Sequence, residues 1–251
     1  MSSKELKKAK FVQGDIGFKN LAEYGIILES YPILEEVLKL DYPFEIIHSY
    51  HLDYDWYLLN IAKTKIVFAV TQGAPMAVDL AERFIASGVK KVVRIGTIGS
   101  LSDTLRLGDI LVPYAAIKDE GTSSFYLKKE SPAIADIDFV QAITNQLRKA
   151  KHTVHNGIVW STDGRWKEND ESIKSRISDG AIATDMESSA LFAFGIDRKT
   201  SVASISILSD EIHNSEGEFK GLSDKDIWFK LVLPHAVDVF DNLIKLFSQK
   251  K

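Results

Sequence analysis

Short apolar runs alternate with amphipathic segments along this chain, a pattern typical of strands connected by helices. Runs of β-branched and other apolar residues predict buried strands at Gly25–Leu28, Ile66–Val70, Val89–Ile95, Val154–Trp160 and Ser201–Leu208. Apolar residues at helical spacing predict helices at Pro32–Leu40, Met76–Gly88, Asp138–Lys149, Ser172–Ser178 and Met186–Phe194. Strands that alternate with helices predict a mostly parallel sheet with helices on both faces.

The last predicted element is a long helix over Asp226–Gln249, and we expect a break near Pro234 because proline lacks a backbone donor. A polar loop is predicted from Lys118 to Ser124. The chain contains no internal repeat, low-complexity tract or clear linker. We therefore expect a single α/β domain over residues 1–251, with a mixed, mostly parallel central sheet.

Composition narrows the class of protein. The net charge of −4 argues against a nucleic-acid-binding surface, and the basic residues near the N-terminus are expected to form a solvated face. The absence of cysteine excludes disulfides and thiolate metal sites, and six scattered histidines show no metal-ligand spacing. No apolar run long enough to span a membrane and no apolar signal core is present. We expect a cytoplasmic protein without a metal or a membrane partner.

The segment Arg94–Ser100 carries candidate chemistry. Its strand ends in one arginine, two glycines and two hydroxyl side chains. Glycine lets backbone N–H groups approach an oxyanion, and a guanidinium adds a two-pronged charge. An ordinary strand-to-loop junction is the alternative. Ligands collect at the carboxyl ends of parallel strands, and both Arg94–Thr97 and Asp210 lie at predicted strand ends, which favours a ligand site.

Four segments, in the same order, resemble those of the nucleoside phosphorylase superfamily, which includes purine nucleoside phosphorylases, uridine phosphorylases and methylthioadenosine nucleosidases. They resemble a phosphate and sugar loop, the strand and loop after it, a ribose-gripping signature and a strand that delivers an aspartate to the base. In this chain they are Arg94–Leu101, Gly108–Ile110 with Ala116–Ser123, Thr184–Ser188, and Ser206–Asp210. The match extends from about Gly25 to the C-terminal helix, so it covers nearly the whole chain.

The resemblance implies roles for the residues that would hold phosphate and sugar. Arg94 and Thr97 would hold an attacking phosphate. Glu187 would accept hydrogen bonds from ribose hydroxyls and stabilise positive charge on the sugar. Asp185 and Met186 would complete this substrate-binding set, with Met186 beneath the ribose. The alternative for Glu187 is a carboxylate favoured by the dipole at a helix N-terminus.

The base would be bound by a second group of residues. Asp210, in its protonated form, would donate a hydrogen bond to N7 of a purine, although Ser209–Asp210 also fits a helix N-cap. Gly99 would let the backbone approach the base or the sugar. Arg165 falls where relatives stack an aromatic ring on the base, and its guanidinium plane can stack as well. An aromatic face would come from Trp166 or Trp160, unless both belong to the core. Relatives place a cation soon after the aspartate, for which His213 and Lys220 are candidates.

The chain also departs from the family pattern. The relatives' Gly-Asp-Pro-Gly-Arg loop is replaced by Glu29–Ile33, and the region His51–Tyr54 lacks the arginine lent by a neighbouring subunit. The similar-looking Gly14–Lys19 follows no predicted strand and is read as a coincidence. Each charge-assisted hydrogen bond contributes about 1.5–3 kcal/mol, so two missing arginines would weaken phosphate binding by orders of magnitude unless His51 or Arg165 compensates. No histidine precedes His48, which leaves the contact to the 5′ position open.

The resemblance therefore implies a nucleoside phosphorylase-type enzyme. It would cleave a nucleoside, a purine in preference to uridine, with phosphate as co-substrate and no other cofactor, giving a free base and ribose 1-phosphate. One alternative is a hydrolytic nucleosidase in which Glu29 activates water. Another is a non-catalytic nucleoside-binding protein on the same scaffold. Family active sites lie at dimer interfaces, so we also expect a homo-oligomer, either a dimer or a hexamer.

Overall fold

The structure is a computed structural model that describes residues 18–47, 55–212 and 225–249. Several residues named above lie outside these ranges, namely the basic cluster Lys4, Lys7, Lys8 and Lys10, residues 14–17 of the Gly14–Lys19 segment, His48, His51–Tyr54, His213 and Lys220. The strands are β1 Tyr24–Leu28, β2 Phe44–Ile47, β3 Trp56–Ile61, β4 Thr64–Val70, β5 Lys91–Ser100, β6 Ile110–Leu111, β7 Ala115–Asp119, β8 Ala133–Ile134, β9 Val154–His155, β10 Ile158–Thr162, β11 Ala181–Asp185 and β12 Ser201–Glu211.

The α-helices are α1 Tyr31–Val37, α2 Ala74–Ala86, α3 Ile137–Lys149, α4 Asp170–Ser178, α5 Ser188–Arg198, α6 Lys225–Ile227 and α7 Leu233–Ser248. Two short 3₁₀ turns cover Thr122–Phe125 and Arg165–Lys167, and a π-helical segment covers Trp228–Val232. Among the described residues, no helix combines the length and the apolar character that crossing a membrane requires.

The strands form one mixed sheet in the order β2-β3-β4-β1-β5-β11-β10-β7-β8. Outside this order, β12 pairs with β5 and with β6, and β6 in turn pairs with β9. The long strand β5 pairs with three other strands. It pairs in parallel with β1 and β12 and, through Gly99 and Ser100, antiparallel with β11. The parallel pairs hold the centre, and the antiparallel pairs β2–β3, β3–β4 and β7–β8 lie toward the edges. The predicted α/β architecture, with helices on both faces of a mostly parallel sheet, is confirmed.

Close packing of α2 on the sheet depends on a glycine. A Cβ atom added at Gly25 on β1 would lie 2.5 Å from the ring of Phe84 on α2. The ring therefore occupies the space that any other residue would need. Helix α2 ends at Ala86, just before Gly88, whose φ of +106° suits glycine and confirms the predicted helix end.

The structure differs from the predicted elements at several places. Strand β5 runs through Gly96 and Gly99 to Ser100, so the segment predicted as a turn or loop after Ile95 belongs to the strand. Strands β8 and β11 were not among the predicted strands.

Strands β2 and β3 were not predicted, because β2 has no regular alternation and the pair is defined by hydrogen bonds to β4. The single strand predicted over Val154–Trp160 is two strands separated by Asn156–Gly157. The C-terminal helix is not broken at Pro234. That residue lies in the first turn of α7, where no backbone donor is required, and the π-helical segment precedes it.

Candidate active site

The central strands and the segments that follow them form a partly open cavity of about 70 Å³. It is lined by eight of the nine residues predicted for the site, which are Arg94, Thr97, Gly99, Arg165, Asp185, Met186, Glu187 and Asp210. Glu29, Ile98, Glu168, Thr184 and Ile212 complete the lining. The ninth predicted residue, Trp166, lies elsewhere. Because strands far apart in sequence end at the same edge of the sheet, their polar side chains meet here.

Arg94 lies at the centre of the charged half of this cavity. Its Nη1 donates to the hydroxyls of Ser206 at 3.1 Å and Ser204 at 3.3 Å, both on β12. Its Nη2 donates to Glu29 and to Glu187, at 2.6 Å each. Burial alone would lower the pKa of Arg94, but the surrounding carboxylates, Glu187 and Glu29 first, raise it above its ordinary value. The guanidinium therefore stays charged although it is buried.

Glu29 follows β1 and occupies the donors predicted for phosphate. Its Oε2 accepts from the backbone N–H of Thr97 at 2.6 Å, and its Oε1 accepts from the Thr97 hydroxyl at 3.0 Å. A Cβ added at Gly96 would lie 1.9 Å from Glu29 Oε2, so this glycine makes room for the carboxylate. Burial and the neighbouring Glu187 raise the pKa of Glu29 to about 7, against the lowering effect of Arg94 and Thr97.

Glu187 is held by two elements that are distant in sequence. Its Oε1 accepts from the backbone N–H of Gly73, at the N-terminus of α2, at 2.8 Å. Its Oε2 accepts from Arg94 Nη2. Among the described residues it is the N-cap of α5 but makes no side-chain hydrogen bond to the amides of that helix. Glu187 thus stands at a helix N-terminus, as the alternative expects, but its hydrogen bonds run to Gly73 and Arg94 rather than to the amides of α5. Gly73 was not predicted, because its link to Glu187 spans 114 positions.

Asp185 lies next to both Arg94 and the start of α5. Its oxygens accept from the hydroxyls of Ser161, at 2.5 Å, and of Ser188, and its Oδ2 lies 3.7 Å from Arg94 Nη1. Burial raises the pKa of Asp185, while Arg94 opposes that rise. These contacts favour a positioning role, in which Asp185 orients Arg94 and the start of α5, over direct contact with a substrate.

Asp210 reaches the other end of the cavity through an irregularity in β12. The register places Leu208 opposite Ile98 but Asp210 opposite Gly99, so Ser209 is an extra residue that re-aims the strand. The Ser209 hydroxyl holds Asp210 Oδ2 at 2.6 Å, and Asp210 Oδ1 lies 4.0 Å from Arg165 Nη2. Asp210 lies inside β12, so the alternative that it caps a helix is wrong.

Two predictions for the base end of the cavity require correction. A Cβ added at Gly99 would lie 2.2 Å from Ile212 Cδ1, so the space beside this glycine is filled by Ile212 rather than left open for a ligand. Trp166 is 90% exposed and stacks outside the cavity on Arg165, at 5.4 Å, because the 3₁₀ turn points it to solvent. Trp160 is buried in a small apolar cluster, as the core alternative predicted.

The structure brings the residues predicted to bind sugar, phosphate and base to the same cavity. Glu187 and Arg94 touch, and Asp210 lines the same cavity. The site thus offers a buried cation, carboxylate acceptors and a second carboxyl group at the opposite end. Within the ranges that the structure describes, no group of three or more histidine, aspartate or glutamate side chains is placed to hold a metal ion.

This chain is similar to known proteins in both sequence and fold. The family model of the phosphorylase superfamily matches residues 23–245. A guanosine phosphorylase of Halorubrum lacusprofundi is 31% identical over 140 residues, 56% of either chain. A DeoD-type purine nucleoside phosphorylase of Buchnera aphidicola is 29% identical over 136 residues, 54% of this chain and 58% of the relative. This chain therefore aligns with little more than half the length of these relatives.

A third relative and a solved structure extend the comparison to uridine phosphorylases. A uridine phosphorylase of Thermococcus kodakarensis is 32% identical over 91 residues, 36% of this chain and 33% of the relative. The crystal structure of uridine phosphorylase from Vibrio fischeri superposes with a TM-score of 0.77 at 24% identity, covering 92% of this chain and 96% of that one. That superposition shows the shared fold.

Proposed function

The chain belongs to the phosphorylase superfamily, and we propose from its site that it cleaves the N-glycosidic bond of a nucleoside, a purine in preference to uridine. The observation that carries the proposal is that Arg94 on β5, Glu187 just after β11 and Asp210 on β12 line one cavity. This geometry supplies separate partners for the sugar and the base. A protein that only binds nucleosides would need the same contacts, so turnover is the decisive measurement.

Cleavage builds positive charge on the ribose and negative charge on the departing base. The Glu187 carboxylate would accept from ribose hydroxyls and stabilise the positive sugar, with Met186 beneath the ring. Asp210, when protonated, would donate to N7 of a purine, and Ser209 fixes the orientation of its carboxyl group. The three groups share one cavity, so a single bound nucleoside would contact all of them.

For the attacking group we propose phosphate, as the superfamily's name implies. Its oxygen would attack the anomeric carbon of the sugar, giving ribose 1-phosphate as the base leaves with the electrons of the C–N bond. Arg94 and Thr97 lie together on the cavity wall, which supports this assignment. Phosphate would have to displace the Glu29 carboxylate from both of them.

The first test is a panel of inosine, guanosine, adenosine and uridine assayed with and without phosphate. We expect release of base from at least one purine nucleoside, with the rate rising with phosphate until it saturates. Equal turnover in phosphate-free buffer would exclude phosphorolysis. Binding by calorimetry with no turnover of any nucleoside would instead identify a binding protein.

A hydrolytic reaction is the second candidate, and the position of Glu29 specifically favours it. The carboxylate already fills the anion-binding position between Arg94 and Thr97. There it would take a proton from a water molecule whose oxygen attacks the anomeric carbon. The electrons of the C–N bond would pass to the base, which Asp210 would protonate. No phosphate is required for this step.

Replacing Glu29 by glutamine separates the two reactions. A hydrolase that uses Glu29 as a general base should lose about 10²–10⁴-fold in kcat. A phosphorylase should keep most of its kcat and bind phosphate more tightly, because a neutral amide competes less for Arg94 and Thr97. Glu130→Gln, a change of the same kind at an exposed position, is the control and should leave both parameters unchanged.

The pH dependence of the same pair of proteins gives an independent check. The pKa of Glu29 is raised to about 7, so its carboxylate gains charge as the pH rises through that value. Hydrolysis by the wild type would then increase with pH, whereas phosphate binding to the wild type would weaken relative to Glu29→Gln. A wild type and variant with parallel pH profiles would contradict both roles of Glu29.

We also propose that the protein acts as a homo-oligomer, a dimer or a hexamer, in the cytoplasm. The support is membership of the superfamily, whose active sites lie at dimer interfaces as the resemblance implies. Analytical ultracentrifugation would test the assembly, and a monomer at micromolar concentration would contradict it.

A further inference from the structure

Glu168 is a cavity-lining carboxylate to which the proposed cleavage gives no role. It directly follows the 3₁₀ turn Arg165–Lys167 and lies half-buried at the end of the cavity that holds Asp210. Burial raises its pKa, as does the neighbouring Asp210, whereas Thr184 and Arg165 lower it. A carboxylate in this position is an acceptor that faces whatever base the site binds.

Two isoleucines line the same cavity as Glu168. Ile98 and Ile212 supply apolar surface, with Ile212 packed over Gly99. The Thr184 hydroxyl donates to Glu168 Oε1 at 3.4 Å. A carboxylate offers about four acceptor positions, so this single contact leaves acceptor capacity for a ligand.

Arg165 and Glu168 at this end of the cavity have opposite hydrogen-bonding character. Arg165 is a donor only, and its Nη2 lies 4.0 Å from Asp210 Oδ1. Glu168, when ionised, is an acceptor only, and it interacts electrostatically with both of the others. A base bound with N7 at Asp210 would therefore meet a donor near its C6 substituent and an acceptor near N1.

We propose that Arg165 and Glu168 together select bases that carry a carbonyl next to a ring N–H. Hypoxanthine and guanine present O6 and N1–H in that order, and uracil presents O4 and N3–H. Adenine and cytosine present the reverse, an amino group next to an unprotonated ring nitrogen. The unprotonated nitrogen would face the Glu168 carboxylate, leaving two acceptors in contact without a proton. This inference rests on the proposed nucleoside-cleaving function and names its substrate class.

The test compares hypoxanthine with adenine as ligands and inosine with adenosine as substrates, at about pH 8 so that Glu168 is ionised. We expect wild-type binding and kcat/KM to favour the oxo member by about 10²-fold or more, since sites built to bond an N–H strongly reject its absence. Glu168→Gln should reduce this preference to below about 10-fold, because a rotated amide can donate to the adenine N1. The exposed Glu171→Gln on α4 is the matched control and should keep the full preference.

A purely structural role for Glu168 predicts a different result. Both members of each pair would then weaken equally in Glu168→Gln, and the unchanged ratio would overturn the inference. A wild type that binds neither base, or both alike, would overturn it as well. Binding of hypoxanthine that depends on Glu168, without cleavage of any nucleoside, would contradict only the proposed function. The two proposals can therefore fail separately.

Discussion

Replacing Glu187 by glutamine is expected to lower kcat for nucleoside cleavage about 10²–10³-fold, the range seen when one preorganised electrostatic group is removed from an active site. The amide keeps an oxygen for the Gly73 N–H, so the link to α2 can persist. It loses the negative charge that would stabilise the positive sugar and that pairs with Arg94. Most of the loss should appear in kcat rather than KM, because that charge develops in the transition state.

The measurement is steady-state kinetics on the best nucleoside of the panel, with thermal unfolding to verify that the variant is folded. Glu130→Gln changes the same functional group at an exposed position and should retain wild-type kinetics. A folded Glu187→Gln with wild-type kcat would remove Glu187 from the reaction. A higher KM with an unchanged kcat would assign it to binding alone.

The largest effect on stability is expected for Arg94→Met, which should lower the free energy of unfolding by about 3–5 kcal/mol near neutral pH. The guanidinium is the shared counter-ion of Glu29, Glu187 and Asp185. Methionine approximates the volume of the arginine side chain but leaves the buried Asp185 and Glu187 and the part-buried Glu29 without a positive partner. Each must then either stay charged in a poorly solvated environment or bind a proton.

The sign of the pH dependence follows from the proton uptake. Without Arg94 the pKa of Glu29 should rise further above its unfolded value, so the folded variant binds more protons than the unfolded chain. The variant should therefore be most stable at a pH below the pKa that Glu29 has in the unfolded chain. Its stability should fall as the pH rises through the higher pKa that Glu29 has in the folded variant. Urea unfolding, followed by the fluorescence of the four tryptophans, measures this between pH 5 and 8.

Two controls make the interpretation specific. Lys245→Met removes an exposed cation that pairs with Asp241 and should cost less than about 1 kcal/mol. Adding Glu29→Gln to Arg94→Met removes one of the uncompensated carboxyl groups, so part of the lost stability should return. Additive losses in the double variant would show that Glu29 and Arg94 are not energetically coupled.

The sequence pattern predicted the central elements of the fold and most of the candidate site. Strands β1, β5 and β12 are buried along most of their length and rich in apolar and small residues, because parallel strands at the centre of a sheet are covered on both faces. The carboxyl ends of β5 and β12 were predicted too early, at Ile95 and Leu208, because the polar residues and glycines after the apolar runs still pair in the sheet. The edge strands β2 and β3 escaped prediction because they derive their register from a partner strand rather than from their own pattern.

Local pattern by itself thus determined which segments are strands and which polar residues stand at their ends. Only the tertiary structure decided which of those residues meet. Glu29 and Arg94 are 65 positions apart, Arg94 and Glu187 are 93 apart, and Gly73 and Glu187 are 114 apart. These contacts follow from the order in which β1, β5 and β11 lie side by side. Strand order is set by packing of the whole core, which no short segment of sequence encodes.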